Sequence, residues 1–154
     1  MGVSSGTLGK RSFRSAAIGR VGSKVTTYEA AFELPPAVDS IARARAIVRS
    51  LDPDLGLRED VVGDAELLVS EVVTNAIRHG GPLIRLNVTV DGRGLEVRVY
   101  DGARTMPVPR HPDVDVPNGR GLQIVESVAT SWGIVMEATG KTVWFRINHR
   151  LIRH

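Results

Sequence analysis

Nine apolar residues recur at helical spacing between residues 58 and 79, and no other feature restricts the fold of this chain so strongly. With each residue turned about 100° from the last, Val61, Val62, Ala65, Leu68, Val69, Val72, Val73, Ala76 and Ile77 fill one broad arc. An arc of that width has to be covered by a second layer of structure. Glu71 and Asn75 fall just outside one edge of it, with Asp64 between them. Residues four apart share a helix face, so the two polar groups lie together on a seam between core and solvent. A carboxylate there can accept a proton or orient a water, and an amide oxygen can coordinate a hard cation. The pair on its own also fits the ordinary solvated border of an amphipathic helix. His79 lies near the apolar edge at the helix end, where it could simply cap the last carbonyls.

The flanking segments supply the layers. Residues 25–34 are β-rich and stop at Pro35-Pro36. Residues 38–51 place Val38, Ile41, Ala42, Ala44, Ile47, Val48 and Leu51 at helical spacing, and residues 52–56 read as a turn before the long helix. Residues 83–90 alternate as a half-buried strand, residues 91–94 turn, and residues 95–100 return with Leu95, Val97 and Val99 on one face. Residues 103–118 hold four prolines and no period, a length that suits a lid. A third helix opens at Gly119-Arg120-Gly121-Leu122, with Leu122, Ile124, Val125, Val128 and Ala129 as its apolar face. Residues 132–138 and 142–147 form a last hairpin around Thr139-Gly140-Lys141. This order predicts an α+β two-layer sandwich, an antiparallel or mixed sheet with helices on one face.

The 154 residues suffice for one domain with a proper core, and 42% hydrophobic with 24% charged residues is ordinary for a globular chain. Cysteine is absent, which excludes disulfides, thiolate catalysis and cysteine-ligated zinc. A reducing cytoplasm is the expected compartment, and no apolar run approaches a membrane span. Residues 1–24 carry Lys10, Arg11, Arg14, Arg20 and Lys24, no acid and much Gly and Ser. They read as a flexible basic tail in front of a domain spanning residues 25–150. A basic tail can touch nucleic acid or an anionic surface, but no basic stripe interleaved with aromatics follows it, so nucleic-acid binding is not expected.

Two further positions suit a nucleotide. A helix N-terminus offers free N–H groups and partial positive charge to phosphate, and Gly119 and Gly121 let a ligand approach the backbone, with Arg120 adding a cation. Asp101, at the end of a strand, could accept a hydrogen bond from an exocyclic amine such as that of adenine. The glycines also fit a plain loop-to-helix turn, and Asp101 a turn aspartate before glycine. Gly140-Lys141-Thr142 is not a phosphate-binding P-loop, because position 135 is valine and strand-like residues follow.

The ordered set is Glu71 and Asn75 as E-x-x-x-N on a long helix, Asp101-Gly102 after a strand, a lid, Gly119-Arg120-Gly121-Leu122, then Gly140-Lys141-Thr142-Val143-Trp144-Phe145. Together these resemble the Bergerat-fold ATP-binding domains shared by DNA gyrase, heat-shock chaperones, mismatch-repair ATPases and histidine kinases. The likeness covers residues 28–147. Within that superfamily the small size and the run LLVSEVVTNAIRHGG at residues 67–81 are similar to the bacterial anti-sigma factor serine kinases and their single-domain relatives.

The resemblance implies ATP and Mg2+ as cofactors. Glu71 would be the general base and Asn75 the magnesium ligand. Asp101 would bind the adenine amine with Thr142 helping through a water, and Gly119, Arg120, Gly121 and Leu122 would line the triphosphate. It implies a protein serine/threonine kinase that phosphorylates an antagonist protein and controls transcription by partner switching with a sigma factor, and relatives of this type often dimerise through the sheet. One departure stands out. The superfamily's D-x-G-x-G box reads Asp101-Gly102-Ala103-Arg104-Thr105 here, without the later glycines. That departure favours an alternative, a catalytically weak or inactive ATP-binding or partner-binding module of the same fold.

Overall fold

A computed structural model describes residues 18–19, 26–79, 81–102 and 121–149 of the chain. The expected lid at 103–118, and Gly80, Gly119 and Arg120, lie outside the described residues. So does the expected tail apart from Ile18–Gly19, which form a two-residue strand, β1, paired with Thr26 and Thr27.

The remaining elements are β2 (Thr26–Leu34), α1 (Asp39–Arg49), a short 3-10 turn (Pro53–Leu55), α2 (Glu59–His79), β3 (Ile84–Asp91), β4 (Gly94–Asp101), α3 (Gly121–Val128), β5 (Ser131–Glu137) and β6 (Gly140–Asn148). The described strands form one sheet in the order β1-β2-β3-β4-β6-β5, and every neighbouring pair is antiparallel. Packed together, α1, α2 and α3 form the second layer, with α2 in the middle. This is the expected α+β sandwich.

Strand alternation divides the sheet cleanly. Ile84, Leu86, Val88 and Val90 of β3, Leu95, Val97 and Val99 of β4, and Val143, Phe145 and Ile147 of β6 are all buried under the helices. The intervening residues face away and are mostly polar, with Arg85, Glu96, Arg98 and Arg146 carrying charge. Arg146 there binds Asp91 at 2.8 Å, and Asp91 also accepts from the backbone N–H groups of Arg93 and Gly94, which closes the β3–β4 turn. The helix side of the core is the arc read from the sequence: Val61, Ala65, Leu68, Val69, Val72, Val73 and Ala76 are buried, with Val62 and Ile77 packed at its margins.

Two local readings change. Val38 is 72% exposed, because α1 starts at Asp39 and Val38 turns outward ahead of it. Its place in the core goes to Ser40, whose hydroxyl is satisfied by the Pro35 carbonyl at 2.6 Å. The second change concerns the last hairpin. Its turn is Ala138-Thr139, so β6 begins at Gly140 and Lys141 is a strand residue rather than a turn residue.

Leu67 and Leu68 are neighbours on α2, but Leu68 is fully buried while Leu67 is 43% exposed. Leu68→Ala should therefore lower the unfolding free energy by roughly 2–5 kcal/mol. Leu67→Ala should stay within about 0.5 kcal/mol. Denaturant melts of the two variants measure the contrast.

Candidate functional site

With its apolar arc held against the sheet, α2 can present only one of its edges to α3. Glu71, Asn75 and His79 follow one another at four-residue intervals along that helix, and each is half-buried. At the near end of this row stands the first turn of α3. Gly121 is buried, and a Cβ placed on it would lie 3.2 Å from Glu71 Oε1. A side chain at Gly121 would require the carboxylate to give way by a few tenths of an ångström, and a helix N-terminus favours an anion. Leu122, the next residue, packs its side chain against the core and leaves its backbone at the same end.

At the far end of the row are the last residue of β4 and the first residues of β6. Asp101 ends β4 and is paired across the strands with Lys141. The Lys141 ammonium donates to Asp101 Oδ2 at 2.8 Å, and the two side chains are 1% and 2% exposed. Gly140 permits this close approach, since a Cβ there would collide with the Asp101 carbonyl and with Gly102. The pair is near enough to His79 to act on its charge. Burial holds the His79 imidazole below its ordinary pKa, and the Lys141 and Arg78 cations push the same way against the opposing pull of Asp101.

The structure thus sets Gly121 against Glu71 at one end of the row and Asp101 within electrostatic reach of His79 at the other, with Asn75 between them on α2. Gly119 and Arg120 lie outside the described residues. Thr142 is not among the group. It pairs across the sheet with Tyr100, its hydroxyl donates to Glu137 Oε2 at 3.0 Å, and it lies on the opposite face of β6 from Asp101. There it helps line a hollow of about 260 Å3 with Arg85, Asn87, Arg98, Tyr100, Glu137 and Thr139, on the far side of the sheet from Glu71. The residue that does meet Asp101 is Lys141, which the sequence reading passed over as part of a turn. A signal was present: Lys141 shares strand parity with Val143, Phe145 and Ile147, all of which point inward.

Among the described residues no group of three or more His, Cys, Asp or Glu side chains could hold a metal ion. A cation here would lean on the Asn75 amide oxygen, on ligand phosphates and on water. Magnesium accepts that donor set, since it usually keeps several waters and few protein ligands. No helix among the described residues is long and apolar enough to cross a membrane.

A profile of the family described as "Histidine kinase-like ATPase domain" matches residues 34–147. No curated protein matches the sequence. Among solved structures, the RsbU and RsbW domains of Rv1364c from Mycobacterium tuberculosis superpose with a TM-score of 0.58 at 20% identity, over 80% of this chain and 34% of that one. The chain thus spans about a third of that structure's length. The histidine kinase domain of the blue-light activated kinase of Erythrobacter litoralis EL346 aligns over 74% of this chain and 61% of that one, at 23% identity and a TM-score of 0.47.

The lowered pKa of His79 has a sign that can be checked. In the unfolded chain an imidazole titrates near about 6.5, so the folded state binds this proton less readily than the unfolded state does. The contribution of neutral His79 is complete above that value and is lost as pH falls through the folded pKa. Its ring protons should titrate by NMR with a midpoint below about 6.5. His79→Gln should lose less stability than the parent between about pH 7 and about pH 5.

Proposed function

Because the chain belongs to the histidine kinase-like ATPase domain family, we propose that the row of Glu71, Asn75 and the start of α3 is an ATP site that phosphorylates a serine or threonine of an antagonist protein. The observation that carries this reading is the Glu71 carboxylate lying against Gly121 at the N-terminus of α3, with Asn75 one turn further along α2.

Each part then has a task. The backbone N–H groups at Gly121 and Leu122 receive phosphate oxygens, together with Gly119 and Arg120 just before them in the sequence. Asn75 would hold Mg2+, which would neutralise phosphate charge. Asp101 accepts a hydrogen bond from the adenine amine. Glu71 takes the proton of the partner's hydroxyl as that oxygen bonds to the γ-phosphorus and the bond to the β–γ bridging oxygen breaks, leaving ADP. A carboxylate beside that helix end supports this role. Phosphoryl transfer needs mainly positioning and charge neutralisation, and these groups supply both.

The substrate class follows the residue order shared with anti-sigma factor serine kinases. In that scheme the protein works in the cytoplasm, holds a sigma factor, and switches partner when the antagonist is phosphorylated. Thr142 has no part in it, since it faces the wrong side of β6. One sequence observation favours a second reading: Ala103 and Thr105 follow Asp101-Gly102 where the superfamily keeps glycine. That change suits a module that binds nucleotide and partner with little or no transfer.

Glu71→Ala separates the two. The variant should bind Mg-ATP within about threefold of the parent, while transfer to the antagonist falls by about a hundredfold or more, as for loss of a general base. Incubation with labelled ATP and a candidate antagonist reads transfer, and calorimetric titration reads binding. Transfer by the variant at the parental rate would remove Glu71 from the chemistry. ATP binding by the parent without transfer to any antagonist would leave the binding module.

A further inference from the structure

On the open face of the sheet, the nucleotide reading leaves the hollow of about 260 Å3 without a task. Cross-strand pairing builds it. Arg85 of β3 stands opposite Tyr100 of β4, Tyr100 opposite Thr142 of β6, and Asn87 opposite Arg98. Paired residues share a face, so these side chains meet above the strands and outside the core. The Arg85 guanidinium lies over the Tyr100 ring, 5.4 Å from its centroid. The Glu33 carboxylate that it approaches is 3.9 Å away, too far for a hydrogen bond. Arg98 donates Nε to Glu96 at 2.8 Å, and its terminal nitrogens have no acceptor among the described residues. The Asn87 amide has none either. A guanidinium presents five donors in a fixed fork. Two forks with most of their donors unused therefore border one hollow with room for a small molecule. The other end has the opposite sign. Glu137 Oε2 accepts from the Thr142 hydroxyl at 3.0 Å, and its second oxygen has no donor among the described residues. Between the two ends the Tyr100 ring is fixed through its hydroxyl, 2.7 Å from Thr139 Oγ1.

We propose that this hollow is a second ligand site, for a small organic anion with a phosphate or carboxylate at one end and hydroxyl groups at the other. The oxyanion sits between Arg85 and Arg98, whose forks match either head group, and the Asn87 amide donates to it as well. The Tyr100 ring forms the floor under the carbon body. The hydroxyls donate to Glu137. That carboxylate also sets the selectivity, since a ligand charged at both ends would bring its second anion against it. A nucleoside triphosphate is excluded on the same ground. The hollow lies across the sheet from Glu71 and Asn75, so this site stands whether or not the ATP reading holds.

NMR titration of the isotope-labelled full chain with inorganic phosphate, glycerol 3-phosphate and glycerate tests the assignment. Glycerol 3-phosphate or glycerate should shift the amide resonances of Asn87, Arg98, Tyr100 and Thr142 saturably, and the tighter of the two identifies the head group. Inorganic phosphate, which lacks the hydroxyl-bearing body, should bind about tenfold more weakly than the tighter one. Arg85→Gln and Arg98→Gln alter exposed side chains outside the core, and each should weaken binding by about tenfold or more. Glu137→Gln should erase the preference over inorganic phosphate. Saturating Mg-ATP should leave the shifts in place. The absence of saturable shifts with all three probes would overturn the site. So would shifts gathered at Gly121 and Leu122, binding indifferent to both arginine substitutions, or displacement by Mg-ATP. Resonances of this face that move on dilution of the ligand-free chain would put a second copy there and overturn it as well.

Discussion

The rotation of α2 about its own axis is set by the burial of Val61, Ala65, Leu68, Val69, Val72, Val73 and Ala76 against β3, β4 and β6. Each fully buried side chain of this kind is worth about 1.5–3 kcal/mol of apolar transfer. Turning the helix by even one residue position would expose several of them at once. The functional edge has no comparable force of its own. Glu71, Asn75 and His79 are half-buried polar groups, and they stand where they do because the arc beside them has nowhere else to go. The core positions the site, and the site contributes little to holding the core.

The two ends of that row differ in electrical character. At the Glu71 end the donors are backbone N–H groups of α3, fixed by the helix and needing no reorganisation when charge arrives. At the other end are three ionisable side chains, His79, Asp101 and Lys141, gathered where β4 ends and β6 begins. Burial and the Lys141 and Arg78 cations keep the imidazole neutral at physiological pH, and the ammonium is matched by a carboxylate. The row thus has one end set by a helix terminus and another that is nearly charge-balanced.

Most of the fold was legible because hydrophobic period alone specified it. The arc of α2, the alternation of Ile84, Leu86, Val88 and Val90 against Arg85, Asn87 and Thr89, and the Asp91-Gly92-Arg93-Gly94 turn each rest on local pattern and appear as read. Val38 was misplaced because apolar spacing continues past the point where a helix starts, and the cost of exposing one valine is small. The meeting of Gly121 with Glu71 depends on how α3 docks on α2, a contact between residues fifty positions apart that periodicity cannot supply.

The error at Thr142 is of another kind, and it bears on how such sites are read. Drawing the last turn around Thr139-Gly140-Lys141 put the strand start at Thr142, two residues past Gly140, and left Lys141 out of β6. Side chains on a strand alternate, so Lys141 and Thr142 face opposite sides of the sheet. The chemistry changes with it. A hydroxyl would offer a neutral donor or acceptor to a bridging water, whereas the residue that occupies the position is a cation in direct contact with Asp101. The inward parity of Val143, Phe145 and Ile147 already fixed the answer, and it outranks the appeal of a Gly-Lys turn because three buried side chains support it. At this strand end the apolar face therefore decides which polar side chain reaches Asp101.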